Sequence, residues 1–348
     1  MRHIKLFPIL LLSTLVCLTN TNGQTRSTRA NNKYTRRVDF SLHYHIRTSG
    51  QTPEIKLRVN LPQTIPDIQR IISTNFSPQP TRVFTKNGNK YADFVFHTSP
   101  KRLSVKIDIK ADLFVRSPVT MQIRPGQKLP KPPDLDEYLK HERFIEKNHP
   151  LIQQIATEIT GQSETEIIQN IYEYVTDNMT YDTSCQKAGG AVKAVRDKKG
   201  KCIDYSDLFV ALCRAKHIPA RVVAGYTTRP KDNRAHSWVD VYIQNRWITI
   251  DPTYNINAPS SSRKYISYNL GPNYIYFTHT RNDRELGNFR FYFCEYKGKK
   301  VSIKNSIEFK QPFSRPYKDL QHSLPEHIRK RIVEIRARNV SASRSHHP

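Results

Sequence analysis

Residues 198–226, "KKGKCIDYSDLFVALCRAKHIPARVVAGY", carry the clearest structural pattern in the second half of the chain. A turn rich in lysine and glycine brings Cys202 to the start of a segment whose apolar residues recur three and four apart, which is typical of a buried helix face. "HIPA" ends the predicted helix, and the run "ARVVAGYT" predicts a strand. The stretch raises the question of what a cysteine does at the beginning of such a helix.

Four roles are open to Cys202: a core residue, half of a disulfide, a metal ligand or a nucleophile. No cysteine falls in a C-x-x-C pair with histidines at zinc spacing, so we expect no metal site, and nothing indicates another cofactor. One disulfide among Cys185, Cys213 and Cys294 stays open. A single cysteine at a helix start is more often structural than catalytic, so other residues must decide.

The segments "HSWVDVYI" and "RWITIDPT" predict two antiparallel strands joined by a two-residue turn at 244–245. This register sets Val239 opposite Ile250 on an apolar face. It also places His236 and Asp251 together on the other face, one diagonal step apart, where a carboxylate can reach an imidazole. The two strands therefore predict an oriented histidine.

An oriented histidine needs a nucleophile, and Cys202 suits that role. The macrodipole and free amides of a helix N-terminus favour a thiolate, as does a nearby imidazolium. The same amides can donate to an oxyanion, and Gly200 permits close approach of a substrate backbone. Cys202, His236 and Asp251 thus form a predicted catalytic triad.

The first third of the chain has a different pattern. Apolar and polar residues alternate in "VDFSLHYHI", "EIKLRVNL" and "LSVKIDIK", which predicts half-buried antiparallel strands, and Asn87-Gly88 predicts a hairpin turn. We interpret residues 24–128 as an all-β, sandwich-like domain without a catalytic constellation of its own.

A proline-rich linker over 129–140 separates this domain from a helical region. Pro150 begins one predicted helix, and Ser163 with Glu166 gives the capping-box spacing at the start of a second. Helices followed by adjacent strands predict an α+β catalytic domain with an antiparallel sheet over 141–312, which includes a final hairpin in "NFRFYFCEYKGKKVSIKNSIEF".

The two ends predict the compartment and part of the surface. Residues 1–23 have the order of a secretory signal peptide, so we expect export to the periplasm or the extracellular space. The tail, 313–348, includes a basic amphipathic helix. The formal net charge of +26 favours contact with an anionic envelope polymer or a membrane surface; no nucleic-acid module is evident, and nothing indicates the oligomeric state.

The blocks "GKCIDYSDLFVALCRAKHIPARVVAGY" and "HSWVDVYIQNRWITIDPT" resemble the transglutaminase-like superfamily, in particular its exported bacterial members with an N-terminal β-domain. The resemblance spans roughly residues 145–255. It implies a papain-like α+β core, with Cys202 as nucleophile, His236 as base and Asp251 as the acid that orients it. It also places Tyr181, in "NMTYDTS", and Trp238, in His-x-Trp, at the substrate cleft.

The predicted activity is attack on a peptide or carboxamide carbonyl through a thioester, with a protein or peptide as substrate. The acyl group then passes to water, as in a protease or amidase, or to an amine. The alternative is a non-enzymatic binding or assembly protein that uses the β-domain and the basic surface.

Overall fold

A computed structural model of the chain describes residues 35–50, 52–66, 68–97, 101–114, 134–185, 188–228, 234–254, 256, 273–287 and 291–310. The predicted signal peptide, the prolines of the linker and the amphipathic helix of the tail lie outside these residues. Among the residues described, no helix has both the length and the apolar character that crossing a membrane requires.

The N-terminal strands form as the alternating pattern predicts. They are β1 (Thr35–Thr48), β2 (Glu54–Leu61), β3 (Gln69–Ser77), β4 (Arg82–Lys86), β5 (Asn89–His97) and β6 (Arg102–Phe114). The inward face of β1 is buried along its whole length, at Val38, Phe40, Leu42, Tyr44 and Ile46. Asn87 and Gly88 have positive φ between β4 and β5, which confirms the hairpin turn.

The final hairpin corrects the predicted domain boundaries. Its strands, β13 (Tyr292–Lys297) and β14 (Val301–Phe309), pair with β2 and β1. The two sheets of the sandwich are therefore β14-β1-β6-β3 and β13-β2-β5-β4. The prediction that this hairpin belongs to the catalytic domain is wrong. Alternation shows which residues face inward but does not identify the partner strand.

The helical region contains α1 (Pro150–Glu158), α2 (Glu164–Asn178), α3 (Ala191–Asp197) and α4 (Cys202–Ala215). Ser163 caps α2 by accepting from the backbone N–H of Glu166 at 3.2 Å, as the capping-box spacing predicts. The sequence analysis missed α3, because seven residues between two turns show too little periodicity for a helix to be recognised.

The helix that begins at Cys202 lies at the centre of this region. Every residue from 202 to 214 is buried, whereas the sequence predicted a single apolar stripe. Its polar side chains are therefore paired inside the protein: Arg281 donates to both oxygens of Asp207, at 2.7 and 2.9 Å. Burial raises the pKa of Asp207 to about 7, although the attraction of Arg281 acts in the opposite direction.

Beside α4 lies an antiparallel sheet, which we call the central sheet, with the order β11-β10-β9-β12. Its strands are β9 (Ala220–Thr227), β10 (Ala235–Ile243), β11 (Arg246–Ile250) and β12 (Tyr274–Thr278). Val239 pairs with Ile250 and Val241 with Ile248, which confirms the predicted register. A core of α-helices and β-strands with antiparallel sheets confirms the predicted α+β class.

The sandwich and the central sheet share buried surface. Tyr226 of β9 and Phe277 of β12 belong to the same hydrophobic cluster as the inward face of β1. The ring centroids of Phe40 and Phe277 are 6.5 Å apart, and those of Tyr226 and Phe291 are 5.0 Å apart. All the described residues belong to one compact unit, so the sandwich forms part of the same packed body as the helices.

Candidate active site

Cys202 occupies the first position of α4, where a side-chain cap fixes the turn that leads to it. The Asp204 carboxylate accepts the backbone N–H groups of Lys201 at 2.9 Å and Gly189 at 3.1 Å. A Cβ on Gly200 would lie 2.6 Å from the Cβ of Asp204. Glycine at this position therefore leaves room for the capping carboxylate, which differs from the predicted role of admitting a substrate backbone.

His236 lies at the start of β10 and connects the other two members of the predicted triad. Its Nε2 donates to Oδ2 of Asp251 at 2.7 Å. A second hydrogen bond joins the His236 side chain to Cys202. Because Nε2 is hydrogen-bonded to Asp251, Nδ1 is the ring nitrogen that can form a hydrogen bond with the thiol. The structure thus brings Cys202, His236 and Asp251 together.

The surroundings of His236 favour its charged form. Burial alone would lower its pKa, but attraction to Asp251, the hydrogen bond donated to that carboxylate and the contact with Cys202 raise the pKa to about 10. This shift favours the imidazolium form of the ring. A cation hydrogen-bonded to a cysteine stabilises the thiolate, which is the nucleophilic form.

The Asp251 carboxylate is completely buried and firmly held. Its Oδ1 accepts from the backbone N–H of Thr253 at 3.0 Å and from the Thr253 hydroxyl at 2.9 Å. Its Oδ2, which also bonds His236, accepts from the Tyr274 hydroxyl at 2.8 Å. The sequence analysis missed Tyr274, because a long segment without a readable pattern separates "YIYFT" from the Asp-Pro-Thr motif.

Trp238 does not line a cleft, which corrects the prediction from the His-x-Trp motif. Its side chain is 0% exposed. The indole stacks on His236, with centroids 5.9 Å apart, and meets the rings of Tyr274 and Tyr276 edge-on at 4.9 and 5.0 Å. The motif identifies the sheet face but cannot show that Ile68 of the sandwich packs over it. Trp238 therefore supports the histidine from inside the protein.

Tyr181 lies beside the turn that carries the nucleophile. The short strand β7 (Thr180–Tyr181) pairs in parallel with β8 (Lys199–Gly200), and Tyr181 is the partner of Gly200. Its half-buried ring lies 6.1 Å from that of Tyr205 in α4. This position agrees with a place near the cleft, and contact with substrate stays a prediction.

The other cysteines have different surroundings. Cys185, Cys202, Cys213 and Cys294 are all free, so the disulfide left open by the sequence does not form among them. Burial raises the pKa of Cys213 far above its usual range and that of Cys294 to about 11. Of these thiols, Cys202 is the one for which the structure records a hydrogen bond to a histidine.

Comparisons with known proteins agree with this geometry. Residues 153–252, a range that contains Cys202, His236 and Asp251, match the family model of the transglutaminase-like superfamily. The chain is 26% identical over 173 residues to an uncharacterised protein of Haemophilus influenzae, covering 46% of this chain and 47% of that protein. It is 36% identical over 70 residues to a protein-glutamine gamma-glutamyltransferase of Pseudomonas aeruginosa, covering 17% and 10%. The chain spans less than half the length of these relatives.

Similarity at the level of the fold extends further. The solved structure of a candidate cysteine protease from Cytophaga hutchinsonii superposes with a TM-score of 0.56 at 17% sequence identity. The superposition covers 82% of this chain and 95% of the other. At this identity the likeness concerns the fold, and its extent includes more than the range matched by the family model.

Proposed function

Because the chain carries a transglutaminase-like domain, we propose that it is a cysteine enzyme that attacks carboxamide or peptide carbonyls through a thioester. The observation that supports this proposal is that His236 is hydrogen-bonded to both Asp251 and Cys202. A binding or assembly protein does not require a buried carboxylate, an imidazolium and a thiol in series.

The first half of the reaction uses the Cys202 thiolate and the His236 imidazolium. The Cys202 thiolate adds to the carbonyl carbon, and the developing oxyanion accepts hydrogen bonds from backbone N–H groups at the start of α4. The carbon–nitrogen bond then breaks, and the His236 imidazolium gives its proton to the departing amine or ammonia. The product is an acyl thioester on Cys202, with His236 neutral.

The second half regenerates the pair. Neutral His236 takes a proton from an incoming water or primary amine, whose oxygen or nitrogen adds to the thioester carbonyl. Collapse of this intermediate expels the Cys202 thiolate and releases a carboxylic acid or a new amide. Asp251 stays ionised and keeps Nε2 protonated, so Nδ1 exchanges the proton in both halves.

Both outcomes belong to the proposal, because the same thioester leads to each. The name of the Pseudomonas aeruginosa relative is that of an acyltransferase, whereas the Cytophaga hutchinsonii protein is described as a protease. We propose a protein or peptide substrate. The basic surface further supports a secondary contact with an anionic envelope polymer or a membrane surface.

The test combines labelling with adduct mapping. A haloacetamide should modify Cys202 faster than Cys185 or Cys294 at pH 7, and His236→Ala should remove the difference. Incubation with a peptide mixture should leave an acyl adduct on Cys202 in a mass spectrum. Labelling of Cys202 no faster than the others, together with the absence of an adduct, would favour the binding or assembly alternative. Cys294→Ser is the control for loss of one thiol.

A further inference from the structure

At the edge of the central sheet, a glutamine side chain of the sandwich makes the hydrogen bonds that a neighbouring strand would make. Gln69, at the start of β3, is 0% exposed. Its amide nitrogen donates to the carbonyl of Tyr276 at 2.8 Å, and its amide oxygen accepts the N–H of Tyr276 at 2.9 Å. The same nitrogen donates to the carbonyl of Gln63 at 2.8 Å. One side chain thus pairs with both backbone groups of one residue in β12.

This contact lies on the side of β12 where the described residues provide no second neighbouring strand. The strand pairs with β9 on one side, and its register shifts between Tyr276 and Thr278. A buried backbone N–H and C=O without partners would destabilise an edge strand. Gln69 supplies these partners from the sandwich, and so it determines where this part of β12 lies.

The residue before Gln69 packs against side chains of β12. Ile68 is buried in one cluster with Trp238, Tyr274 and Tyr276. On its other side β12 approaches β9 so closely that a Cβ on Gly225 would lie 1.8 Å from the carbonyl oxygen of Ile275. Strand β12 is therefore enclosed between β9 and residues 68–69 of the sandwich.

The position of β12 matters because this strand reaches the buried carboxylate of the triad. Tyr274 donates to Oδ2 of Asp251, the oxygen that also accepts from His236. A charge-assisted hydrogen bond restrains the carboxylate and reduces the charge that this oxygen directs at the imidazolium. A continuous series of contacts thus runs from Gln69 through β12 to Asp251.

We propose that Tyr274 is a positioning residue for Asp251 and that the sandwich sets its place through Gln69. This inference rests on the proposed function, since it assigns these residues a part in the same reaction. The sandwich then contributes to the rate through the position of β12.

The first test is the pair Tyr274→Phe and Tyr276→Phe, each of which removes one hydroxyl and keeps the ring. In Tyr274→Phe, Oδ2 of Asp251 loses a donor, so the pKa of His236 should rise by about half a unit or more. The rate constant kcat should fall about tenfold with KM unchanged, because the carboxylate is less restrained. Tyr276→Phe should leave the His236 titration unchanged.

The titration is followed by NMR of the His236 ring and does not require turnover, so it separates this inference from the proposed function. If no adduct forms on Cys202 in the native protein, the proposed function fails, and the titration still tests the link between Tyr274 and Asp251. An unchanged His236 titration in Tyr274→Phe would overturn the inference even in an active enzyme.

The second test concerns the sandwich. Gln69→Leu keeps a similar volume and removes both bonds to Tyr276. Asn60→Leu is the matched control, since Asn60 is also a buried amide of the sandwich and donates to the backbone, to Lys90 at 3.3 Å. Both variants should lower the melting temperature, but only Gln69→Leu should also lower kcat and shift the His236 titration. Equal effects in the two variants would reduce Gln69 to a stabilising role.

Discussion

Two buried carboxylates on the central sheet have nearly the same surroundings. Asp251 accepts from a threonine hydroxyl, a tyrosine hydroxyl and the cationic ring of His236. Asp240 accepts from the Thr249 hydroxyl at 2.7 Å, from the Tyr276 hydroxyl at 3.2 Å and from Arg221 at 2.9 and 3.2 Å. Trp238 lies between the two groups and contacts a tyrosine of each.

The cation distinguishes the two carboxylates. The Arg221 guanidinium lies 4.1 Å from the centroid of the Trp247 ring, and its pKa is raised although burial opposes the shift, so it cannot give up a proton. His236 can exchange a proton and adjoins a thiol. A buried aspartate with several hydrogen bonds is therefore not in itself a mark of catalysis. The role of such an aspartate depends on whether its cationic partner can exchange a proton.

The largest effect expected from the comparison is on the nucleophile. Cys202→Ala should lower the turnover number by about 10⁴-fold or more, because no thioester can form. The melting temperature should change by only a few degrees, since one sulfur is lost at a helix end. Cys213→Ala, in the same helix, should leave turnover intact and cost about 1–2 kcal/mol by opening a space in the core. Turnover retained by Cys202→Ala would remove the nucleophile assignment.

Asp251→Asn should have the next largest effect, lowering kcat by about 10²–10⁴-fold. Without the carboxylate, the pKa of His236 should fall from about 10 towards its ordinary value. The alkaline limb of the rate–pH profile should therefore move to lower pH. In the native protein the raised pKa stabilises the fold fully below about pH 6.5, and this contribution is lost as the pH rises through about 10.

Both effects of Asp251→Asn can be measured: the rate–pH profile reports the limb, and unfolding at several pH values reports the stability. In the variant, the loss of stability should occur at lower pH than in the native protein. If the alkaline limb of the rate–pH profile does not move, another group keeps the histidine protonated.

Asp240→Asn should have the opposite pattern. It leaves Arg221 buried beside a neutral partner, which should cost about 3–5 kcal/mol of unfolding free energy. The rate per folded molecule should stay within about twofold of the native value, because Asp240 contacts neither His236 nor Cys202 in the described hydrogen bonds. Denaturant titration and active-site counting separate the two quantities. If Asp240→Asn lowered the rate as much as Asp251→Asn does, the two carboxylates would not differ in function.

The smallest effect should come from the two threonines. Thr253→Val and Thr249→Val each remove one hydroxyl from a buried carboxylate and should each destabilise the protein by about 1 kcal/mol. Only Thr253→Val should also slow the reaction, by several-fold, since its hydroxyl orients Asp251. Parallel melting curves and initial rates measure both. Equal rates in the two variants would mean that the Thr253 hydroxyl is not needed to orient Asp251.

The sequence predicts the triad because a two-residue turn determines a register, and that register fixes which side chains share a face. The pairing of Val239 with Ile250 follows from local geometry alone. Tyr274 and Gln69 could not be found in this way. Their roles depend on which distant elements meet, and neither periodicity nor spacing encodes the partner of an edge strand. The burial of Trp238 escaped prediction for the same reason.

One pairing in the sandwich has a consequence for the order of folding. Strand β1 lies between β6 and β14, and Phe40 pairs with Phe309 near the other end of the described chain. Contacts between residues so distant in sequence form late, because a large loop must close first. A growing chain that already contains Cys202, His236 and Asp251 still has β1 and β2 each without one neighbouring strand. Since the sandwich also holds β12, we expect a mature, reactive thiol only after the last strands have joined, so an incomplete chain is kept from premature reactivity.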